Sequence, residues 1–229
     1  MVNSRTKERI KPVADEIKAK GGRADFIAAD LMDRQQVEGM VDRTVKRFGK
    51  LDILVANGAG ATRFTLPFKF FHTQDPDNFE AVAIGTWLSK AWLIRKALDH
   101  MIPQKYGKIV NISTDAGLIP TTGESMIGGG AAGLLMMTRV MAREIGRYGV
   151  RINTIATGGV VDNPRGEIEG YNLGNTEASA HVSPKLQSRR LFPVTSLDMA
   201  NAVLFLAAET GDNITGQAWS INGGLSMPP

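Results

Sequence analysis

Few side chains in this sequence are placed to do chemistry. Thr114 ends the run 107-GKIVNIST-114, Asp115 follows it directly, Glu124 stands shortly beyond, and Asp162 closes 157-TGGVVD-162. A hydroxyl such as that of Thr114 can donate to an oxyanion, and a carboxylate held away from water can serve as a base. Between these groups, 127-IGGGAAG-133 opens the helical run 134-LLMMTRVMAREIGRYG-149 with three consecutive glycines. A glycine inside a helix costs roughly 0.8–1 kcal/mol against alanine, so Gly128, Gly129 and Gly130 raise the question of what those positions serve.

Composition bounds the chemistry. The 229 residues are 43% hydrophobic and 22% charged, enough apolar content for one buried core and a single domain over 1–229. No cysteine is present, which excludes disulfides, thiol catalysis and thiolate metal sites. His72, His100 and His181 form no ligand-spaced pair, so no metal site is expected. The net charge is +4, but the basic residues are scattered rather than clustered, and no nucleic-acid partner is expected. The start, MVNSRTKERIK, has no apolar leader core, and no uninterrupted apolar run is long enough to span a bilayer. A cytoplasmic protein with no membrane partner is the expectation.

The elements that must position these groups alternate. Helical periodicity over 5-RTKERIKPVADEIKAKGG-22 is followed by the short apolar strand 25-DFIAADL-31. A second helix, 33-DRQQVEGMVDRTVKRFG-49, carries Asp33 at its start and Gly49 at its stop. Strands follow at 51-LDILVANGAG-60, 107-GKIVNIST-114, 150-VRINTIAT-157 and 217-QAWSIN-222. Helices are expected over about 77–100, from 125-SMIGGGAAGLLMMTR-139 through Tyr148, and over 196-SLDMANAVLFLAAET-210 with Ser196 as N-cap. Continuous apolar strands separated by helices imply a parallel sheet covered on both faces. Ligands bind such sheets outside the carboxyl ends of the strands. Asn57, Thr114, Gly158 and Asp162 should therefore rim one cleft. Residues 162–190 are polar and weak in core signal, which suits a substrate lid. The aromatic run 64-FTLPFKFF-71 should help shape a pocket for a small-molecule ligand.

Taken together, these segments resemble the short-chain dehydrogenase/reductase family over almost the whole chain. Asp30-Leu31 with Asp33 resembles its D-L-x-D, 52-DILVANGAG-60 its D-I-L-V-N-N-A-G, and 107-GKIVNISTDAG-117 its G-x-I-V-N-I-S-S-x-A-G. 149-GVRINTIATGG-159 is similar to G-I-R-V-N-x-I-x-P-G, and 214-ITGQ-217 with 222-NGG-224 to the closing I-T-G-Q…D-G-G. The resemblance implies an α/β, Rossmann-like doubly wound sheet in three layers and NAD(P) chemistry on a CH–OH or C=O carbon. It places Arg5, Asp30, Leu31, Asn57, Gly58, Gly158 and Val160 at the cofactor, with Arg5 where members often carry a cation for the 2′-phosphate of NADP.

Two departures set the functional question. Residues 2-VNSR-5 resemble the end of the family's second strand, so the first strand, its Gly-rich phosphate turn and the following helix have no counterpart. A start assigned inside the gene, a cut chain, or a natural loss of dinucleotide binding would each give that pattern. The missing strand is central in the family, and its absence should leave a gap in the sheet. The second departure is chemical. In ungapped register the Tyr position falls on Ile127, the Lys position on Ala131, the Ser position on Thr114 and the Asn position on Thr86. Tyr106, Tyr148 and Tyr171 are followed four residues on by Val110, Ile152 and Asn175, so no Tyr-x-x-x-Lys exists anywhere. A phenol with its ordinary pKa near 10 needs an adjacent cation to work at neutral pH.

Three functions fit. The first is a non-catalytic subunit that pairs with an active homologue and needs no cofactor of its own. It would assemble through the long helices that carry Trp87, Trp92, Met136, Met137 and Met141, and through the closing 214-ITGQAWSINGG-224. The second is a cofactor-independent lyase or dehydratase using Asp115, Glu124 or Asp162 as base. The third is an NAD(P)-dependent oxidoreductase known from an incomplete sequence. Arg165, Lys185, Arg189 and Arg190 are available to an anionic group such as a CoA phosphate.

Overall fold

The computed structural model describes residues 1–58, 69–162 and 191–227. Within them the strands form two parallel sheets. In the smaller, β1 (Val2–Ser4) pairs with β2 (Phe26–Ala28). The larger runs β3 (Ile53–Ala56), β4 (Gly107–Thr114), β5 (Val150–Thr157) and β6 (Ala218–Ser220) in chain order. Every pair is parallel because helical or long loop connections return the chain to the same end of the sheet each time. Thr114 and Thr157 lie in register at the carboxyl ends of β4 and β5.

The expected central gap is present as a break in pairing. Among the described residues no backbone hydrogen bond joins β1 to β3, and Ile53 and Val55 of β3 are 45% and 41% exposed. The two halves are held together by helices instead. Val37, Met40 and Val41 of α2 (Arg34–Phe48) share one core with Leu93, Ile94, Ala97 and Met101 of α4 (Ser89–Gln104). At the carboxyl ends the Leu31 side chain lies against Gly58, so closely that a β-carbon there would collide with it.

The remaining helices follow local signals. α1 (Lys7–Ala19) packs on β1 and β2. Asp33 caps α2 by accepting from the Gln35 and Gln36 amides at 2.9 and 3.1 Å, and Gly49 ends it at φ 89°. α3 (Phe79–Ala83) leads into α4 through a π-turn at Ile84–Leu88 that the sequence pattern does not announce. α5 (Ser125–Ile145) buries Ala131, Leu134, Leu135, Thr138, Ala142 and Ile145. With the turn to Tyr148 it is long and apolar enough by composition to cross a membrane, but this buried face packs on β4 and β5 as a core helix. α6 (Ser196–Ala207) covers the opposite face, where Leu206 meets Val110 and Ile155. Its N-cap is Thr195 rather than the expected Ser196: the Thr195 hydroxyl accepts from the Asp198 amide while the Thr195 amide donates to the Asp198 carboxylate at 2.7 Å.

Candidate active site and cofactor cavity

Of the four positions matched to the family's tetrad, Ile127 and Ala131 lie in the first two turns of α5, and Thr86 packs against Gly130 there. Gly128 faces the Ala116 carbonyl, 2.7 Å from where its β-carbon would stand, and Gly117 approaches Ala131 just as closely, at 2.8 Å. A β-carbon on Gly130 would collide with the Thr86 hydroxyl, while one on Gly129 would meet nothing. Two of the three glycines thus exist for close approach, one to the turn after β4 and one to the π-turn. Thr86 donates to the Val82 carbonyl at 2.7 Å, and Thr114 accepts from the Ala116 amide at 3.3 Å. Ile127 is half-buried and lines a cavity, and Ala131 is buried.

Two of the three candidate bases are structural. Asp115 is buried and receives Ser220 at 2.7 Å, Asn222 at 2.5 Å and Ser226 at 2.9 Å, a network that ties the chain after β6 to the end of β4. Asp162 accepts the amide and hydroxyl of Ser196 at 2.7 and 2.9 Å and so supports the start of α6. Both carboxylates are engaged as acceptors within the fold. Glu124 is different: its carboxyl has no hydrogen-bond or ionic partner among the described residues, and partial burial pushes its pKa up to about 7. It lines a cavity of about 60 Å³ with Lys69, Gln74, Phe79, Val82, Met126 and Ile127.

Lys90 is a group the sequence reading missed. It is only 5% exposed, its amine reaches the Thr86 carbonyl at 3.4 Å, and burial lowers its pKa to about 8. A lysine on the apolar face of 87-WLSKAWLIRKAL-98 was the available signal.

Five of the expected cofactor positions gather at the carboxyl ends of β1–β3. A cavity of about 530 Å³ is lined by Arg5, Thr6, Arg9, Asp30 and Gln36. Asp30 also accepts from the Met32 amide at 3.0 Å. Leu31 follows Asp30 and lies against Gly58, which the exposed Asn57 precedes. Arg9, a turn beyond Arg5 on α1, adds a second cation that sequence motifs did not single out. Gly158 and Val160 sit elsewhere, with Gly158 against Leu225 and Asn222. The lid expected over 162–190 and most of 64-FTLPFKFF-71 lie outside the described residues, as do Arg165, Lys185, Arg189 and Arg190.

Known proteins agree with this architecture. A family model described as Enoyl-(Acyl carrier protein) reductase matches residues 1–226. The 3-oxoacyl-[acyl-carrier-protein] reductase FabG of Staphylococcus aureus (strain Mu50) is 31% identical over 222 residues, which cover 97% of this chain and 85% of that protein. The (2S)-[(R)-hydroxy(phenyl)methyl]succinyl-CoA dehydrogenase subunit BbsD of Thauera aromatica is 33% identical over 232 residues, covering 99% of this chain and 86% of BbsD. NAD⁺-bound xylitol dehydrogenase has the same fold, with a TM-score of 0.83 at 22% identity over 97% of this chain and 87% of that one. With five ordered motifs, a parallel sheet flanked by helices, a family model that matches residues 1–226 and relatives that cover nearly all of it, this chain belongs to the short-chain dehydrogenase/reductase family of oxidoreductases.

Proposed function

We propose that the chain is a subunit without its own reductase site in a hetero-oligomeric NAD(P)-dependent oxidoreductase. The observation that carries this reading is the apolar pair Ile127 and Ala131 at the positions of the family's Tyr and Lys, in a chain with no Tyr-x-x-x-Lys. A phenol beside an ammonium, the pair the family's hydride chemistry uses, has no counterpart at these two positions.

Supporting it, BbsD is by its name one subunit of a CoA-ester dehydrogenase, and we carry over to this assembly the class of CoA thioester substrates. Apolar side chains on α5 and α6 remain exposed, among them Met136, Val140, Leu197 and Leu204, as an assembling chain requires. The cationic cavity fits the phosphorylated ribose of NADP, which Arg5 and Arg9 would hold by charge-assisted hydrogen bonds. When bound, a nicotinamide cofactor supplies hydride; this chain's own residues would only anchor its adenosine end. The cytoplasmic setting expected from the sequence belongs to the same reading.

The test is co-expression with a family homologue that carries Tyr-x-x-x-Lys and is encoded beside it. A stable complex on size exclusion, with NADPH oxidation by a 3-oxoacyl thioester only when the homologue is present, is the expected result. Turnover by the chain alone would instead establish the ordinary oxidoreductase that the FabG relatives suggest.

A further inference from the structure

The break between β1 and β3 leaves two strand edges facing each other. Lys108 donates to the Asp52 carbonyl at 2.9 Å, so in the parallel ladder Asp52, Leu54 and Ala56 turn their backbone groups towards β4. The N–H and C=O groups of Ile53 and Val55 therefore point the other way, into the break. On its far side, Val2 donates to the Asp25 carbonyl at 2.9 Å and Ser4 accepts from the Ala29 amide at 3.0 Å, which leaves the backbone of Asn3 pointing into it. Both edges run in the same direction: Leu31, just past β2, lies against Gly58, just past β3, so the two sheets place their carboxyl ends together.

One face of the break is open as well. Val55 is in register with Val110, which packs under Leu206 of α6, so Ile53 and Val55 share the face that α6 covers further along the sheet. α1 packs on β1 and β2, and its buried Ile10 and Ala14 stand apart from the core that α2 and α4 form on the opposite face. Between α1 and α6, Ile53 and Val55 are left exposed. Val13, on the apolar stripe of α1 with Ile10, Ala14 and Ile17, is exposed too.

Backbone groups that repeat every two residues, roughly 6.6 Å, are matched by an extended chain and not by a helix or a small molecule. Two extended occupants compete. Among the described residues every strand of a second copy is already paired, so it could enter only by leaving its own sheet. A separate polypeptide with an unpaired strand carries no such cost. We propose that the break is a docking slot for such a polypeptide: a strand lying between β1 and β3 and parallel to both, followed by an amphipathic helix that covers Ile53 and Val55 between α1 and α6. The strand must be apolar on both faces, because one meets the core of α2 and α4 and the other meets the docked helix. The slot needs neither cofactor nor catalytic group and does not depend on the subunit reading above.

The experiment uses the full chain alone and a labelled synthetic peptide: an apolar strand of about six residues, a glycine turn and an amphipathic helix of about 14 residues. Fluorescence anisotropy reads binding, and amide hydrogen exchange reads its place. In the chain alone the Ile53 and Val55 amides should exchange freely, while those of Leu54 and Ala56 are protected by β4. The peptide should slow Ile53 and Val55 at least about tenfold more than Leu54 and Ala56. The helix alone, and a peptide N-methylated on alternate strand residues, should each bind at least about tenfold more weakly. Val55→Pro removes a donor that faces the break and keeps the ladder to β4; it should keep the chain's circular dichroism and weaken the peptide at least about tenfold. No peptide binding, undiminished binding of the N-methylated peptide, or Ile53 and Val55 amides already protected in a monomeric chain would each overturn the proposal. A doubled mass with those amides protected would overturn it in favour of a second copy. Turnover plays no part in these readouts, so this proposal and the subunit reading fail independently.

Discussion

Lys90, buried, and Glu124, half-buried, have no ion-pair partners among the described residues, and their costs run in opposite directions with pH. Lys90 ionises near 8 in the folded chain and near 10.5 when solvated, so below about pH 8 folding must bury an ammonium. Between those values the unfolded chain binds more protons, and stability rises with pH. Lys90→Met should therefore raise stability at pH 7 by about 1–3 kcal/mol, an order-of-magnitude figure from the shift. Urea titrations at pH 7 and pH 10 check this, because the gain should shrink towards pH 10.5 as the ammonium disappears. Asp115, buried more deeply than Glu124, shows no such isolation, because Ser220 at the end of β6 and Asn222 and Ser226 beyond it donate to it.

At the scale of the element, α5 explains its own glycines. A helix with three glycines in its first turns loses propensity, but Gly128 and Gly130 let it press on the Ala116 carbonyl and the Thr86 hydroxyl. Gly129 faces open space. Gly129→Ala should thus stabilise the fold by about 0.5–1 kcal/mol through helix propensity. Gly130→Ala should destabilise it by about 1–3 kcal/mol through overpacking, and Thr86→Ala should recover part of that loss. Thermal melts of the four chains decide the matter: if Gly129→Ala and Gly130→Ala shift the midpoint alike, packing is not what the glycines serve. The π-turn at Ile84–Leu88 belongs to the same contact, since it carries the Thr86 side chain against Gly130.

For the whole molecule, the break between β1 and β3 and the exposed apolar stripes matter more than any single residue. Met136 and Val140, one helical turn apart on α5, are 55% and 48% exposed, while Trp87 on the π-turn donates to Met137 at 3.3 Å and is engaged within the chain. That divides the expected interface set: Trp92, Met137 and Met141 pack against the core, and Met136 stays available. Met136→Glu with Val140→Glu should reduce the assembly on multi-angle light scattering without changing the monomer's far-UV circular dichroism. An unchanged mass would remove α5 from the interface.

Periodicity and punctuation determined the fold class, because continuous apolar strands between amphipathic helices bury themselves only as a covered parallel sheet. They also located β4 and β5 to the residue, with Asp33 and Gly49 as caps. Local signals failed where a partner lies far along the chain. Asp115, Glu124 and Asp162 look alike as loop acids, yet Asp115 is satisfied by Ser220, Asn222 and Ser226, Asp162 by Ser196, and Glu124 by nothing in the described chain. The same holds for Arg9, which meets Arg5 across one cavity, and for Lys90, whose burial depends on helices packing around it. Sequence determined which groups could ionise, because that is a property of residue type. Tertiary structure alone decided which of them lost water and which gained a donor, because desolvation and hydrogen bonding depend on what the fold brings within about 3 Å.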